Sequence, residues 1–117
     1  MVTALRIDAR MEGAETGVLA LTGEVDIANT QQVRDAALKL IAGGAKNLAV
    51  DLSATEYLDS AGLGTLVGLL KRIKERGGRM AVAAPQPVVR RLFEITGLNR
   101  VLPVCDDVGA ALKEVGR

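Results

Sequence analysis

The sequence predicts an α/β protein with one domain over residues 1–117, in which a mixed sheet of four to five strands packs with about four α-helices. Short apolar or alternating segments, typical of strands, take turns along the chain with longer segments whose apolar residues recur at helical spacing. Glycines and prolines separate most of these segments. A length of 117 residues with 49% hydrophobic content suits one core. The alternation itself favours a largely parallel sheet built by right-handed crossovers.

The first two strands are predicted to form a hairpin. Apolar and charged residues alternate over residues 5–11, and a turn over residues 13–17 begins and ends with glycine. A second strand follows at residues 18–22, close enough along the chain to pair with the first. The hairpin adds an antiparallel edge to the sheet.

The first helix follows a loop that begins at residues 23–26. Asn29 or Thr30 can cap it, because both side chains can accept a hydrogen bond from the first helical turn. Its apolar positions have helical spacing, and a pair of glycines at 43 and 44 ends it.

The centre of the chain holds a buried strand and a long helix. Residues 48–52 are apolar except for Asp51, which favours a central, covered strand. A second helix is predicted from near Ser60 to Arg76, where glycines 77 and 78 stop it. Its segment 61–70 has one polar side chain, so this helix is either largely buried or partly a docking surface.

The last third of the chain repeats the alternation. A strand at residues 80–84 precedes a short helix that begins at Pro87 and ends at Gly97. Residues 101–104 are expected to form a short edge strand, and Asp106 or Asp107 caps the last helix. Ligands and partners of such sheets meet the carboxyl ends of the strands, so we expect the loops at Asp26 and at Asp59-Ser60 to share one end.

Composition excludes several function classes. The chain has no histidine, one cysteine and a net charge of +1, and it contains no nucleotide-binding or hydrolase motif. No catalytic constellation appears, so we expect no enzymatic activity, no cofactor, no metal site and no direct binding to nucleic acid or membrane. The lack of a signal peptide and of an apolar run of roughly 18 residues leads us to expect a cytoplasmic protein.

Ser60 is the residue on which function depends most. It stands where a helix begins, and its hydroxyl can either cap the helix or accept a phosphate, which the free N–H groups and the dipole of a helix start favour. Asp59 and Asp26 are either solvated loop acids or complements to helix starts. Gly62 and Gly64 are predicted to permit close approach of the backbone, since glycine within a helix otherwise costs roughly 1 kcal/mol.

Three motifs carry a resemblance to a known family. They are GEVD at residues 23–26, VDLS at 50–53 and LDSAGLG at 58–64, and their order and spacing resemble the bacterial anti-sigma factor antagonists, the STAS domain family. Ala61 departs mildly from the family, in which a second small polar residue is frequent at that position. The resemblance implies a STAS-like fold over nearly the whole chain.

The resemblance also implies a function. Ser60 would be phosphorylated by an anti-sigma factor serine kinase, and a serine phosphatase would reset it. The unphosphorylated form would bind the kinase and free a sigma factor, with Asp26, Asp59, Gly62 and Leu63 in the partner-binding surface. The alternative is a STAS interaction module without a switch, in a transporter-associated or stress-signalling assembly.

Overall fold

The computed structural model describes residues 4–116, so the predicted domain limits at residues 1 and 117 lie outside the described part. The hairpin and the central elements are β1 (Arg6–Glu12), β2 (Thr16–Val25), α1 (Thr30–Ala42), β3 (Asn47–Asp51), β4 (Thr55–Leu58) and α2 (Ser60–Glu75). They are followed by β5 (Met80–Ala83), α3 (Pro87–Thr96), a 3₁₀ helix (Leu98–Arg100), β6 (Val104–Cys105) and α4 (Val108–Val115).

The strands form one mixed sheet in the order β1-β2-β3-β5-β6, with β4 paired to β2. The β1–β2 hairpin is antiparallel, and every other pairing is parallel. The predicted fold class, an α/β domain with a mixed sheet and four α-helices, is confirmed over the described residues. The sheet has six strands rather than four or five, because residues 55–58 form a strand where the sequence suggests a loop.

The additional strand depends on an irregularity in β2. The pairing register shifts between Gly23 and Glu24, where Gly23 adopts a positive φ of 101° that favours glycine. Beyond this bulge β2 continues to Val25 and pairs with β4 instead of β3. The buried Thr55 hydroxyl donates a 2.6 Å hydrogen bond to the Leu21 carbonyl, which fixes the start of β4.

Helices cover both faces of the sheet. The larger core lies on the face covered by α1, α2 and α3 and contains the fully buried Phe93. On the other face α4 packs against β3 and β5 through small residues such as Ala49 and Ala81. Coverage on both faces explains why β5 and the middle of β3, residues 48–50, are wholly apolar.

The ends of the helices test the predicted caps. Asn29 stands at the N-cap position of α1, but its side chain bonds to the Asp26 N–H and the Glu24 carbonyl instead of the first helical turn, so the predicted side-chain cap of α1 is wrong. Asp107 caps α4, and its Oδ1 accepts from the Ala110 N–H at 2.7 Å. Pro87 begins α3 and Gly97 ends it in the left-handed conformation, as predicted. Within residues 4–116 no helix is both long enough and apolar enough to cross a membrane.

Candidate functional site

Two loops meet at the carboxyl ends of β2 and β4. The first loop joins β2 to α1 and contains Asp26, and the second is the single residue Asp59 between β4 and α2. Because β2 and β4 are parallel neighbours, the loops that follow them are adjacent, and the Asp59 N–H donates to the Val25 carbonyl at 3.2 Å. The structure thus brings Asp26, Asp59 and Ser60 to one end of the sheet, as the sequence predicts.

Asp59 ties the two loops together with one carboxylate. Its Oδ1 accepts from the Gly62 N–H at 2.8 Å and so caps α2. Its Oδ2 accepts from the Ile27 N–H at 3.1 Å, across the gap to the first loop. The capping role that the sequence offered as an alternative for Ser60 therefore belongs to Asp59, and that alternative for Ser60 is wrong.

Ser60 is the first residue of α2 and is exposed. Its hydroxyl makes no hydrogen bond with any residue from 4 to 116, since Asp59 already serves as the cap. The first turn of α2 carries no acidic side chain, and the positive end of the helix dipole lies beside the hydroxyl. The helix start favours added negative charge, and the adjacent Asp59 carboxylate opposes it.

Asp26 lies in a loop that is held by local hydrogen bonds. Its Oδ1 accepts from the Ala28 N–H at 2.9 Å, and its own N–H donates to the Asn29 side chain at 3.0 Å. Asn29 also donates to the Glu24 carbonyl at 2.8 Å. The loop therefore holds Ile27 at its tip with 79% of the residue exposed. Ile27 is not among the predicted site residues. A large apolar residue in the loop after Asp26 could have indicated an exposed hydrophobic side chain beside the site.

Gly62 lies beneath the surface rather than on it. A Cβ at this position would lie 2.6 Å from Leu58 Cδ1 and 3.2 Å from the Val25 carbonyl oxygen, so α2 approaches the ends of β2 and β4 closely. The predicted close approach thus holds for Gly62. It does not hold for Gly64, where an added Cβ would meet nothing within 4 Å. Leu63 is half-buried and packs against the larger core.

A groove of about 480 Å³ opens beside Ser60, between β4, the start of α2 and α3. Three large hydrophobic residues on its rim are exposed, namely Tyr57 (50%), Val88 (62%) and Ile95 (69%). Arg91 of α3 also lines it. Val88, Arg91 and Ile95 lie far from Ser60 in sequence, and no sequence pattern predicts that α3 faces the start of α2. No group of three or more His, Cys, Asp or Glu residues within residues 4–116 could hold a metal ion.

Known proteins resemble the chain in both sequence and structure. Residues 8–111 match the model of the STAS domain. An anti-sigma F factor antagonist from Paenibacillus polymyxa is 33% identical over 101 residues, which are 84% of this chain and 85% of that protein. The crystal structure of an anti-sigma factor antagonist from Mycobacterium paratuberculosis, 26% identical, matches 97% of this chain and 96% of its own with a TM-score of 0.87. The anti-sigma factor antagonist SpoIIAA in its unphosphorylated form, 25% identical, gives a TM-score of 0.80 over 96% of this chain and 98% of its own.

Proposed function

Because this chain belongs to the STAS domain family, we propose that it is an anti-sigma factor antagonist that switches partners through phosphorylation of Ser60. In its unphosphorylated form it sequesters an anti-sigma factor serine kinase in the bacterial cytoplasm and so frees a sigma factor for transcription. The kinase inactivates it by phosphorylating Ser60, and a serine phosphatase resets it. The chain acts by binding and has no enzymatic activity of its own.

One observation carries this proposal: the Ser60 hydroxyl is exposed and has no capping role. A serine at the N-cap position usually accepts a hydrogen bond from the first turn, but Ser60 is the next residue, the first of α2. Here Asp59 accepts the hydrogen bond from the Gly62 N–H, so the hydroxyl of Ser60 is available for chemistry. The similarity to SpoIIAA gives further support, since that protein exists in an unphosphorylated and a phosphorylated form.

The phosphate acts on binding rather than on folding. It adds about −1.5 to −2 charges. The start of α2 stabilises that charge by roughly 0.3 to 1 kcal/mol, and the neighbouring Asp59 carboxylate opposes it. These effects roughly offset, so the domain stays folded. At an interface, in contrast, a hydrated dianion must lose water and holds the partner away, so we expect the kinase to bind at least roughly tenfold more weakly, about 1.4 kcal/mol.

The surface that meets the kinase consists of Asp26, Asp59, Ser60 and the exposed part of Leu63. The Oδ2 atom of Asp26 makes no hydrogen bond with the described residues and is available to a cationic partner. Gly62 contributes through packing. Because it has no side chain, α2 lies close to β2, and this close contact positions Ser60 at the end of the sheet.

Intact-mass measurement after incubation with ATP and candidate anti-sigma factor kinases from the same genome tests the proposal. Wild-type protein should gain one phosphate, and Ser60→Ala should gain none. Ser53 is the other serine of the chain and is also exposed, so Ser53→Ala is the matched control and should still be phosphorylated.

Calorimetric titration of the kinase then tests the switch. Ser60→Ala should bind like the unphosphorylated wild type, and Ser60→Asp should be weakened in part. Equal affinity of the kinase for phosphorylated and unphosphorylated protein would refute the switch and favour an interaction module without one.

A further inference from the structure

We infer that the groove beside Ser60 docks an apolar segment of the anti-sigma partner that carries an acidic side chain, and that a phosphate on Ser60 competes with this acid for Arg91. The inference rests on the proposed function. It adds a second contact area, formed largely by α3, to the surface around Asp26 and Ser60.

The apolar part of the inference follows from the rim of the groove. Seven large hydrophobic residues are exposed within residues 4–116, and three of them, Tyr57, Val88 and Ile95, line this one groove. They belong to two elements, β4 and α3, that come together only in the fold. Scattered exposed hydrophobic residues are ordinary, whereas a cluster around a concavity is typical of a protein-binding surface.

The charged residues that line the groove favour an acidic side chain on its occupant. Two charged residues line it, Asp59 and Arg91. Both oxygens of Asp59 already accept hydrogen bonds from backbone N–H groups. Arg91 is exposed and forms no ion pair with any described residue. An occupant therefore meets one unpaired guanidinium, which is complementary to a carboxylate and can bind it with two parallel hydrogen bonds.

The same guanidinium connects docking to phosphorylation. Ser60 and Arg91 line one groove, with Arg91 as the cation among its lining residues. A phosphoserine at position 60 places a dianion at the rim, where it attracts Arg91 more strongly than a single carboxylate does. The phosphate would then pair with Arg91 in place of the partner's carboxylate. It would also place a hydrated group over the apolar part of the groove.

Kinase binding to two pairs of variants tests the docking part. Ile95→Asp should lose at least tenfold in affinity and Arg91→Gln several-fold. The matched controls are Val101→Asp, an exposed valine beside the start of β5 at the opposite end of the sheet, and Arg90→Gln, a neighbour in α3 that pairs with Asp106. Both controls should bind within about twofold of wild type. All four altered residues lie outside the buried core, and circular dichroism melting checks that each variant folds.

A measurement without any kinase tests the Arg91 part. Phosphoserine is incorporated at position 60 by genetic encoding, and its titration is followed by ³¹P NMR. Pairing with Arg91 favours the dianion, so Arg91→Gln should raise the pKa of the phosphate by about 0.5 or more, whereas Arg90→Gln should leave it unchanged. An unchanged pKa in Arg91→Gln would overturn the pairing.

The outcomes separate this inference from the proposed function. If no kinase phosphorylates Ser60, the proposed function fails while the ³¹P titration still decides the role of Arg91. If a kinase binds and phosphorylates wild-type protein but Ile95→Asp binds it equally well, the groove is not the docking site and the function stands. If sedimentation shows a wild-type dimer that Ile95→Asp dissociates, the occupant is a second copy and the inference is wrong.

Discussion

Replacement of Asp59 by alanine should lower the free energy of unfolding by about 2 kcal/mol. The side chain makes two hydrogen bonds, one to the first turn of α2 and one to the Ile27 N–H. Loss of a helix cap costs about 1 kcal/mol, and the lost attraction between the carboxylate and the helix start costs roughly 0.3 to 1 kcal/mol. The exposed Ile27 N–H can hydrogen-bond to water instead, so loss of this second bond adds only about 0.5 kcal/mol to the destabilisation.

Asp59→Asn separates these contributions. Asparagine keeps one acceptor oxygen, so it can still cap α2, but it lacks the charge and the second acceptor. We expect it to lose only about 1 kcal/mol. Urea unfolding followed by circular dichroism measures both variants, and a loss of 2 kcal/mol moves the midpoint by about 1 M at an m-value near 2 kcal/mol/M.

Hydrogen exchange locates the effect. The Ile27 amide should exchange faster in both variants, whereas the Gly62 amide should exchange faster in Asp59→Ala alone. The reasoning fails if the free energy of unfolding of Asp59→Ala lies within about 0.5 kcal/mol of the wild-type value, since typical surface substitutions stay within that limit. It also fails if the two variants are equally destabilised.

Three further predictions follow from individual residues. Gly62→Ala should destabilise the fold by about 1–3 kcal/mol in urea unfolding because its Cβ has no room, whereas the open Gly64→Ala should stabilise α2 by up to about 1 kcal/mol; equal effects would contradict the packing. Asp26→Ala should weaken kinase binding in calorimetry while the melting temperature stays nearly constant, since an exposed hydrogen bond to one N–H is lost; wild-type affinity would put Asp26 outside the interface. Burial, with nearby acidic side chains, raises the pKa of the Cys105 thiol, so less thiolate is present at pH 8 than in an unfolded chain. Iodoacetamide should therefore alkylate Cys105 more slowly in the folded protein than in urea, and a faster rate in the folded protein would contradict this.

Local patterns predict most of the fold. Helices α2 and α3 begin and end within about a residue of the predicted positions, because glycine and proline act on the backbone through their own geometry. β3 and β5 are equally clear from their apolar runs. Asp26 and Ser60 are predicted to share one end of the sheet, because this follows from the topology alone.

The parts that escape prediction depend on contacts between distant residues. β2 runs to Val25, and β4 exists at all, because a bulge at Gly23 lets residues 23–25 pair with residues 55–58. A sequence pattern around Gly23 is equally compatible with a turn. The cap of α2 is an exception because it is local: α2 begins at Ser60, so Asp59 stands at the preceding position and its Oδ1 reaches the Gly62 N–H. The groove depends on α3 and β4, so neither element predicts it alone.

Tyr57 is an intrinsic fluorescence probe of the groove beside Ser60. The chain has one tyrosine and no tryptophan, so its emission under ultraviolet excitation comes from a single ring. That ring lies half exposed on the rim of the groove beside Ser60. Quenching of this emission by iodide or acrylamide reports how accessible the groove is, without a label or a substitution. Protection from quenching as a partner without tyrosine or tryptophan is titrated would record occupancy of this surface, while binding elsewhere would leave the signal unchanged.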